Sequence, residues 1–248
     1  MKAAILLTLA LAGCGITPIT NKVKPGEEPF VVAVGEGSDG STDLFVAETG
    51  GGPFFRLTFS RPPEWAPRIA PSGRAVAFMR ARSESDSTEA ELVVYDLIHG
   101  TERRGPVPAE AGPVRRLGWS QASDTVFLGA DRILVTAVDR IDPKTAPTDL
   151  DQHADSTLEE LLGTPAQGRV THCGSEVCVV TAEGDTTRVG TDVTDAIRWG
   201  PDSLALVRAS GLEVRPLTGG RPRFPLWTDI PKGFRSPSYH PGEDASAR

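Results

Sequence analysis

Apolar residues in this chain come in short bursts broken by polar turns, and the bursts recur with a common shape. Ile69-Ala70-Pro71-Ser72-Gly73-Arg74-Ala75-Val76-Ala77-Phe78 reads as strand, turn and strand. Trp119 to Leu128 repeats this form around Ser120-Gln121-Ala122-Ser123-Asp124, and Trp199 to Leu206 repeats it around the shorter Gly200-Pro201-Asp202. Tyr239-His240-Pro241-Gly242-Glu243 opens the pattern once more. Each copy begins on a large apolar residue, crosses a turn rich in Pro, Gly, Ser or Asp, and most then enter an alternating apolar strand.

The copies are 50, 80 and 40 residues apart, counted from Ile69 to Trp119, Trp199 and Tyr239. The long interval divides into two if a degenerate unit, without the turn signature, lies between Arg169 and Gly190. Further strands complete each unit. Glu91 to Asp96 and Gly100 to Arg103 form one pair around a turn, Asp43 to Glu48 and Phe54 to Thr58 a second, and Leu212 to Arg215 and Arg223 to Leu226 a third. About four strands at a period near 40 to 50 residues predicts an all-β fold, a β-propeller of four-stranded antiparallel sheets. The unit starts count to five blades, and four or six also fit the weakly marked middle.

The phase of the repeat predicts how such a ring closes. Phe30-Val31-Val32-Ala33-Val34 looks like a second strand without its first, and Ser236 to Glu243 looks like a first strand without its second. Pairing the two completes one blade and removes two exposed sheet edges. Residues 142–163 break the pattern with an acidic, proline-bearing stretch. There Ser156 and Glu159 form a capping box for a short helix, so an inter-blade insertion is expected, with a degenerate outer strand as the other reading. The expected organisation is a cleaved leader over 1–13, a flexible tether over 14–29, the propeller over 30–243 and a disordered tail over 244–248.

Composition supports many short strands, because 26 glycines and 21 prolines leave few stretches long enough for a helical period. A net charge of −7, with arginine pairs such as Arg103-Arg104 dispersed among acids, argues against nucleic acid as a partner. The amino terminus changes the picture more. Lys2 precedes an uncharged run from Ala3 to Ala12 that is too short for a permanent membrane span, the form of an export signal. Leu11-Ala12-Gly13-Cys14 resembles the lipobox of bacterial lipoproteins. That resemblance implies cleavage before Cys14, diacylglycerol on its thiol and acylation of the new amine. Two or three acyl chains anchor stably where one does not. Gly15, in place of an aspartate, points to the outer membrane facing the periplasm if the source is Gram-negative.

Cys173 and Cys178 flank Gly174-Ser175-Glu176-Val177, which reads as a four-residue hairpin loop placing the two thiols opposite each other. A disulfide is expected in an oxidising envelope. The alternative is a redox or metal pair with His172, for which no fourth ligand is visible.

The repeats resemble those of the TolB family, in which strands surround a W-S-P-D-G turn, an I-A-F strand and an I-Y-V-M-D strand before a Gly-Gly turn. The match is best over Ala66 to Arg104 and looser from Phe30 to Glu243, and the turns here depart from the full motif. The TolB amino-terminal domain has no room between Cys14 and Phe30. The resemblance implies a scaffold that presents loops to another protein.

Catalytic signatures do not appear. There is no Gly-x-Ser-x-Gly elbow, and His99, His153, His172 and His240 sit in no recognised metal spacing. His99 and His240 fall in turns and read as structural. Asp149, Asp151, His153 and Asp155, or Asp39 to Asp43, have cation-ligand chemistry, but a solvated acidic loop and a hairpin turn are the commoner meanings. Trp65, Trp119, Trp199 and Tyr239 read as packing between blades rather than a sugar platform. No cofactor, metal or catalytic residue is therefore assigned. The expected function is a non-enzymatic, lipid-anchored scaffold with an envelope protein partner. The alternative is a small-molecule or metal-binding propeller, including a hydrolase, that uses the central channel.

Overall fold

In the computed structural model the described residues are 22–84, 89–145, 169–173, 176–180, 186–191, 193–199, 203–208, 211–216 and 220–242. Cys14, the leader, the acidic group Asp149 to Asp155, the proposed helix at Ser156 and the tail lie outside them.

Five antiparallel sheets of three or four strands account for nearly all the described regular structure. Sheet 1 contains β1 (Phe30–Glu36), β2 (Thr42–Glu48), β4 (Phe55–Arg56) and the last strand, β20 (Lys232–His240), in the order β20-β1-β2-β4. Sheet 2 is β5 (Glu64–Ile69), β6 (Ala75–Ala81), β7 (Ala90–Asp96) and β8 (Thr101–Pro106). Sheet 3 is β9 (Arg116–Trp119), β10 (Thr125–Gly129), β11 (Ile133–Ala137) and β12 (Lys144–Thr145). Sheet 4 is β13 (Arg169–Cys173), β14 (Glu176–Val180) and β15 (Thr186–Thr191), and sheet 5 is β16 (Val193–Arg198), β17 (Ser203–Arg208) and β18 (Gly211–Pro216). The terminal segments meet as their phase predicts: Phe30 pairs with His240, Val31 with Tyr239 and Val32 with Ser238.

The strands carry nearly continuous apolar runs because both faces of the inner sheets are covered. In β1, Phe30, Val32 and Val34 pack toward sheet 2, while Val31 joins the core shared with sheet 5. In β6, Val76 and Phe78 face sheet 1, and Ala77 and Met79 face sheet 3. In β17, Leu204 and Leu206 meet Val177 of sheet 4, whereas Ala205 and Val207 meet sheet 1. Alternation thus sorts each strand between two neighbours rather than between core and water. The packing order is sheet 4, 5, 1, 2, 3.

The first strands of sheets 1 and 2 also share a backbone device, and that of sheet 5 shares its register slip. Ala66 before Pro67 and Ser236 before Pro237 have φ of 51° and 47°, each three residues ahead of the large side chain of its unit. At both places the register slips by one residue, between Trp65 and Arg68 and opposite Val32 to Val34. A proline has no amide to give the ladder, so it sits at a bulge where that donor is not needed. In sheet 5 the slip recurs between Val193 and Asp195. Sheet 3 shows no register slip in its β9–β10 pairing.

Several sequence expectations need correction. Residues 22–29 are not all tether: Val23 is 2% exposed within the core between sheets 1 and 2, and the Glu27 and Glu28 amides donate to the Lys24 carbonyl. A single valine finds a core site that no periodicity announces. The start of the 142–163 stretch is outer strand rather than insertion, since Lys144 and Thr145 pair with Val135 and Leu134. The third outer pair is largely replaced: among the described residues the outer side of β18 keeps only a bridge from Val214 to Arg223, and β19 (Leu226–Thr228) leaves to run parallel to β3 (Gly51–Pro53) of the neighbouring unit.

The hairpin at the cysteines also differs from its predicted form. Cys173 pairs with Glu176 and Cys178 with Thr171, so the paired strands are two residues apart in sequence and the cysteines are diagonal rather than opposite. Their sulfurs are joined across a Cα separation of 5.9 Å, ordinary spacing for a bridge. That bond takes both thiolates from any metal site with His172. Replacing both cysteines with serine is expected to lower unfolding free energy by about 2 kcal/mol, the loop-closure entropy of so short a ring. Chemical denaturation of the oxidised protein and the double variant measures it.

Candidate binding face

The turns between first and second strands gather at one end of the sheets and are built alike. In sheet 2 the Ala70 amide donates to the Ala75 carbonyl and the Gly73 amide to Ala70; in sheet 3 Ser120 donates to Thr125 and Ser123 to Ser120. The shorter turn of sheet 5 is closed by the Trp199 amide on Ser203. Gly73 and Ser123 occupy the same place with φ of 66° and 60°. Gly73 is required, because a Cβ there would lie 2.4 Å from Nε2 of His240.

Neighbouring turns are tied to one another. The Ser72 amide donates to Ser123 Oγ at 3.0 Å, across two consecutive units. Buried His240 lies under Gly73 and 5.4 Å from the Phe30 ring. Below this level the repeat-phase aromatics join sheets, as expected. Trp119 Nε1 donates to the Arg68 carbonyl, Trp65 Nε1 to the Val114 carbonyl, and Trp199 stacks on Tyr239 at 4.5 Å. None is laid out as an open sugar platform.

The third-to-fourth strand loops reach the same end. In sheet 3 the Val138 amide donates to the Asp124 carbonyl, Thr136 Oγ1 donates to the Arg140 carbonyl, and the Asp142 amide donates to Thr136 Oγ1. This loop borders an open depression of about 560 Å³ lined by Thr125, Val135, Thr136, Asp139, Arg140 and Lys144 among others. In sheet 2, His99 Nδ1 lies 2.9 Å from Asp96 Oδ2, and Asp96 also accepts from the Ile98 and His99 amides. Burial pushes the Asp96 carboxyl up, but these hydrogen bonds outweigh it and hold it below the usual range. Hydrogen bonds from Ser120 and Thr125 hold Asp124 low as well. Asp96 and Asp124 are therefore ionised at neutral pH and engaged within their own turns. His99 is a turn residue, as expected.

Two other polar groups prove structural. The hairpin from Asp39 to Asp43 turns at Gly40, and the Arg56 guanidinium reaches Asp39 at 3.2 Å and Asp43 at 2.5 Å. Hydrogen bonds from Ser41 and Arg56 lower the Asp39 carboxyl to about 2. An arginine thus occupies the place where a cation was considered. The second group is Glu64 and Arg80, buried between sheets 1 and 2, with the exposed Glu102 at its edge. Sequence reading did not single it out, because scattered charges look like solvated surface. Arg80 Nε meets Glu64 at 2.9 Å, its Nη atoms meet Glu102 at 2.8 and 2.6 Å, and Thr58 Oγ1 donates to Glu64. Among the described residues, no three His, Cys, Asp or Glu side chains are placed to hold a metal ion.

No family model matches the sequence, and no curated protein matches it. Among solved structures the chain is similar to TolB from Acinetobacter baumannii, with 12% identity and a TM-score of 0.45 over 88% of this chain and 67% of that one. A second protein described as TolB, from Agrobacterium tumefaciens, gives 15% identity and a TM-score of 0.39 over 78% and 60% of the two chains. The apo AtxE2 isopeptidase gives 12% and 0.36 over 81% and 46%. The chain spans about two thirds or less of the length of these proteins. Similarity at this level assigns neither a family nor an activity.

Proposed function

We propose that this chain is an envelope lipoprotein, anchored through Cys14, whose repeated sheets form a five-bladed propeller that serves as a protein-binding scaffold. The observation that carries the reading is the cross-tied turn face. Its exposed residues, among them Pro71, Ser72, Arg74, Gln121 and Ala122, sit on turns fixed by their own hydrogen bonds and by the Ser72–Ser123 link. Rigid display of this kind spares a partner the entropy of ordering loops on binding. The depression beside it is open and lined by both charges, which suits a protein surface better than an enclosed small molecule.

The reading of a ring is supported by the contact of first strands β20 with β5, β5 with β9, β13 with β16, and β16 with β20, which carries the series through all five sheets. In the proposed closed form β9 and β13 would meet as well. The lipid confines the scaffold to a membrane surface and raises its effective concentration toward membrane-associated partners.

Photo-crosslinking residues installed at Gln121 and Asp139, on the turn face, are expected to capture one discrete envelope protein in living cells. The same probe at Arg132, in the hairpin at the opposite end of sheet 3, is expected to capture none. Capture from Arg132 alone overturns the assignment of the face. No capture from any position, with the protein abundant and folded, returns weight to a ligand in the central channel. Intact mass of the mature protein tests the anchor separately, since acylation at Cys14 adds the mass of its chains.

A further inference from the structure

The segment from Gly220 to Ile230 exposes apolar side chains in a way the rest of the described surface does not. Phe224, Leu226 and Ile230 are 65%, 83% and 41% exposed, three of the four large hydrophobic side chains exposed among the described residues. Phe224 and Leu226 are two residues apart, on either side of Pro225, at the entry to β19. The segment is held in place from beneath. Trp227, next after Leu226 and on the opposite phase, is buried and donates through Nε1 to the Glu48 carbonyl, and β19 pairs along β3. Its flanks are basic: Arg221, Arg223, Lys232 and Arg235 are exposed, against Asp229 and a Lys232 pair with Glu36 at 3.0 Å. In a chain of net charge −7 this is a local reversal of sign.

The described chain begins on the same edge. Lys22 Nζ lies 4.5 Å from the centroid of the Phe55 ring, and the amide of the adjacent Phe54 donates to the carbonyl of Thr228 in β19. Cys14 is eight residues before Lys22, a span of at most about 28 Å when fully extended. A lipid on Cys14 therefore keeps this edge within about one tether length of the bilayer.

We infer that the segment Arg221 to Arg235 is a membrane-docking surface, in which Phe224, Leu226 and Ile230 enter the interface of an anionic bilayer while the flanking cations meet lipid phosphates. The inference rests on the lipid anchor proposed above. Exposed apolar side chains ringed by Lys and Arg are the composition that partitions into an anionic interface. Docking gives the anchored disc a second point of attachment, so the domain stands at a fixed angle to the membrane instead of swinging on its tether.

Hydrogen exchange on the full mature protein tests this, with vesicles of phosphatidylcholine alone or mixed with phosphatidylglycerol. Peptides spanning residues 221–231 are expected to exchange about tenfold more slowly on the anionic vesicles than in buffer. Phe224→Gln with Leu226→Gln is expected to abolish that protection while leaving the thermal midpoint unchanged. Arg221→Gln and Arg223→Gln are each expected to weaken partition onto anionic vesicles by about fivefold. Equal exchange with and without vesicles overturns the inference. So does protection that appears only when an envelope protein is added, which would make the segment a protein-docking site. Intact mass reports Cys14 acylation independently. If the protein carries no lipid, the anchor fails, and sedimentation of the unacylated protein with anionic vesicles still decides the docking surface.

Discussion

Trp227→Ala is expected to lower the unfolding free energy by about 3–5 kcal/mol, the usual range for deleting a buried tryptophan. At roughly 2–4 °C per kcal/mol for a domain of this size, the midpoint falls by about 10 °C. Trp227 is 9% exposed and lies edge-on to Phe54 at 4.9 Å, with Trp199 and Phe234 at 6.1 and 6.2 Å. Its indole N–H reaches the Glu48 carbonyl at 2.7 Å, across a sequence separation of 179 residues. One side chain thus joins sheet 5, whose outer segment carries it, to sheet 1, where the terminal strand pairs. Trp227→Phe separates the two contributions: it keeps most of the ring packing and loses the hydrogen bond, a cost of about 1–2 kcal/mol. Thermal and urea unfolding of the three proteins measure both steps. A loss under about 1 kcal/mol for the alanine variant would show that the β3–β19 seam contributes little to the fold.

How far the sequence reveals this molecule depends on the range of each interaction. Ile69 and Trp119 announce their units because strand, turn and strand are contiguous, so the hydrogen bonds of the Ala70 and Ser120 turns are written within six residues. The pairing of Phe30 with His240 was legible too, since a second strand without a first is visible as a gap in the phase. The exchange of Leu226–Thr228 onto Gly51–Pro53 was not. A short parallel pair leaves no local signature, and Arg223 to Leu226 reads equally well as the fourth strand of its own unit. Hairpin register at the cysteines was misread for a similar reason, because the same residues are compatible with either register. On the binding face, the turns themselves were readable. Their cross-links, such as Ser72 to Ser123, depend on how units stack and have no sequence period of their own.

The buried charges between sheets 1 and 2 were the least legible feature, and Arg80→Met tests them with an effect of similar size. Removing the guanidinium leaves Glu64, with a side chain 0% exposed, without its counter-charge, and breaking a buried pair in this way costs about 3–5 kcal/mol at neutral pH. The cost should shrink in acid. Burial pushes the Glu64 carboxyl above its ordinary value even in the native protein, although Arg80 and Thr58 pull it back. A carboxyl whose folded value is raised contributes its full stability below the unfolded value and loses it as pH rises through the folded one. Without Arg80 the folded value rises further, so the Arg80→Met deficit is largest at neutral pH and narrows as pH falls through that raised value. Arg80→Met combined with Glu64→Gln removes both charges and recovers most of the loss at neutral pH, because a neutral amide still accepts from Thr58. Glu102 is 32% exposed in its side chain and stays hydrated in either variant. Urea denaturation at pH 5 and pH 7 separates the outcomes. A deficit independent of pH and unrelieved by Glu64→Gln would mean that Arg80 acts through its packing over Phe78, at 5.2 Å from the ring, rather than through its charge.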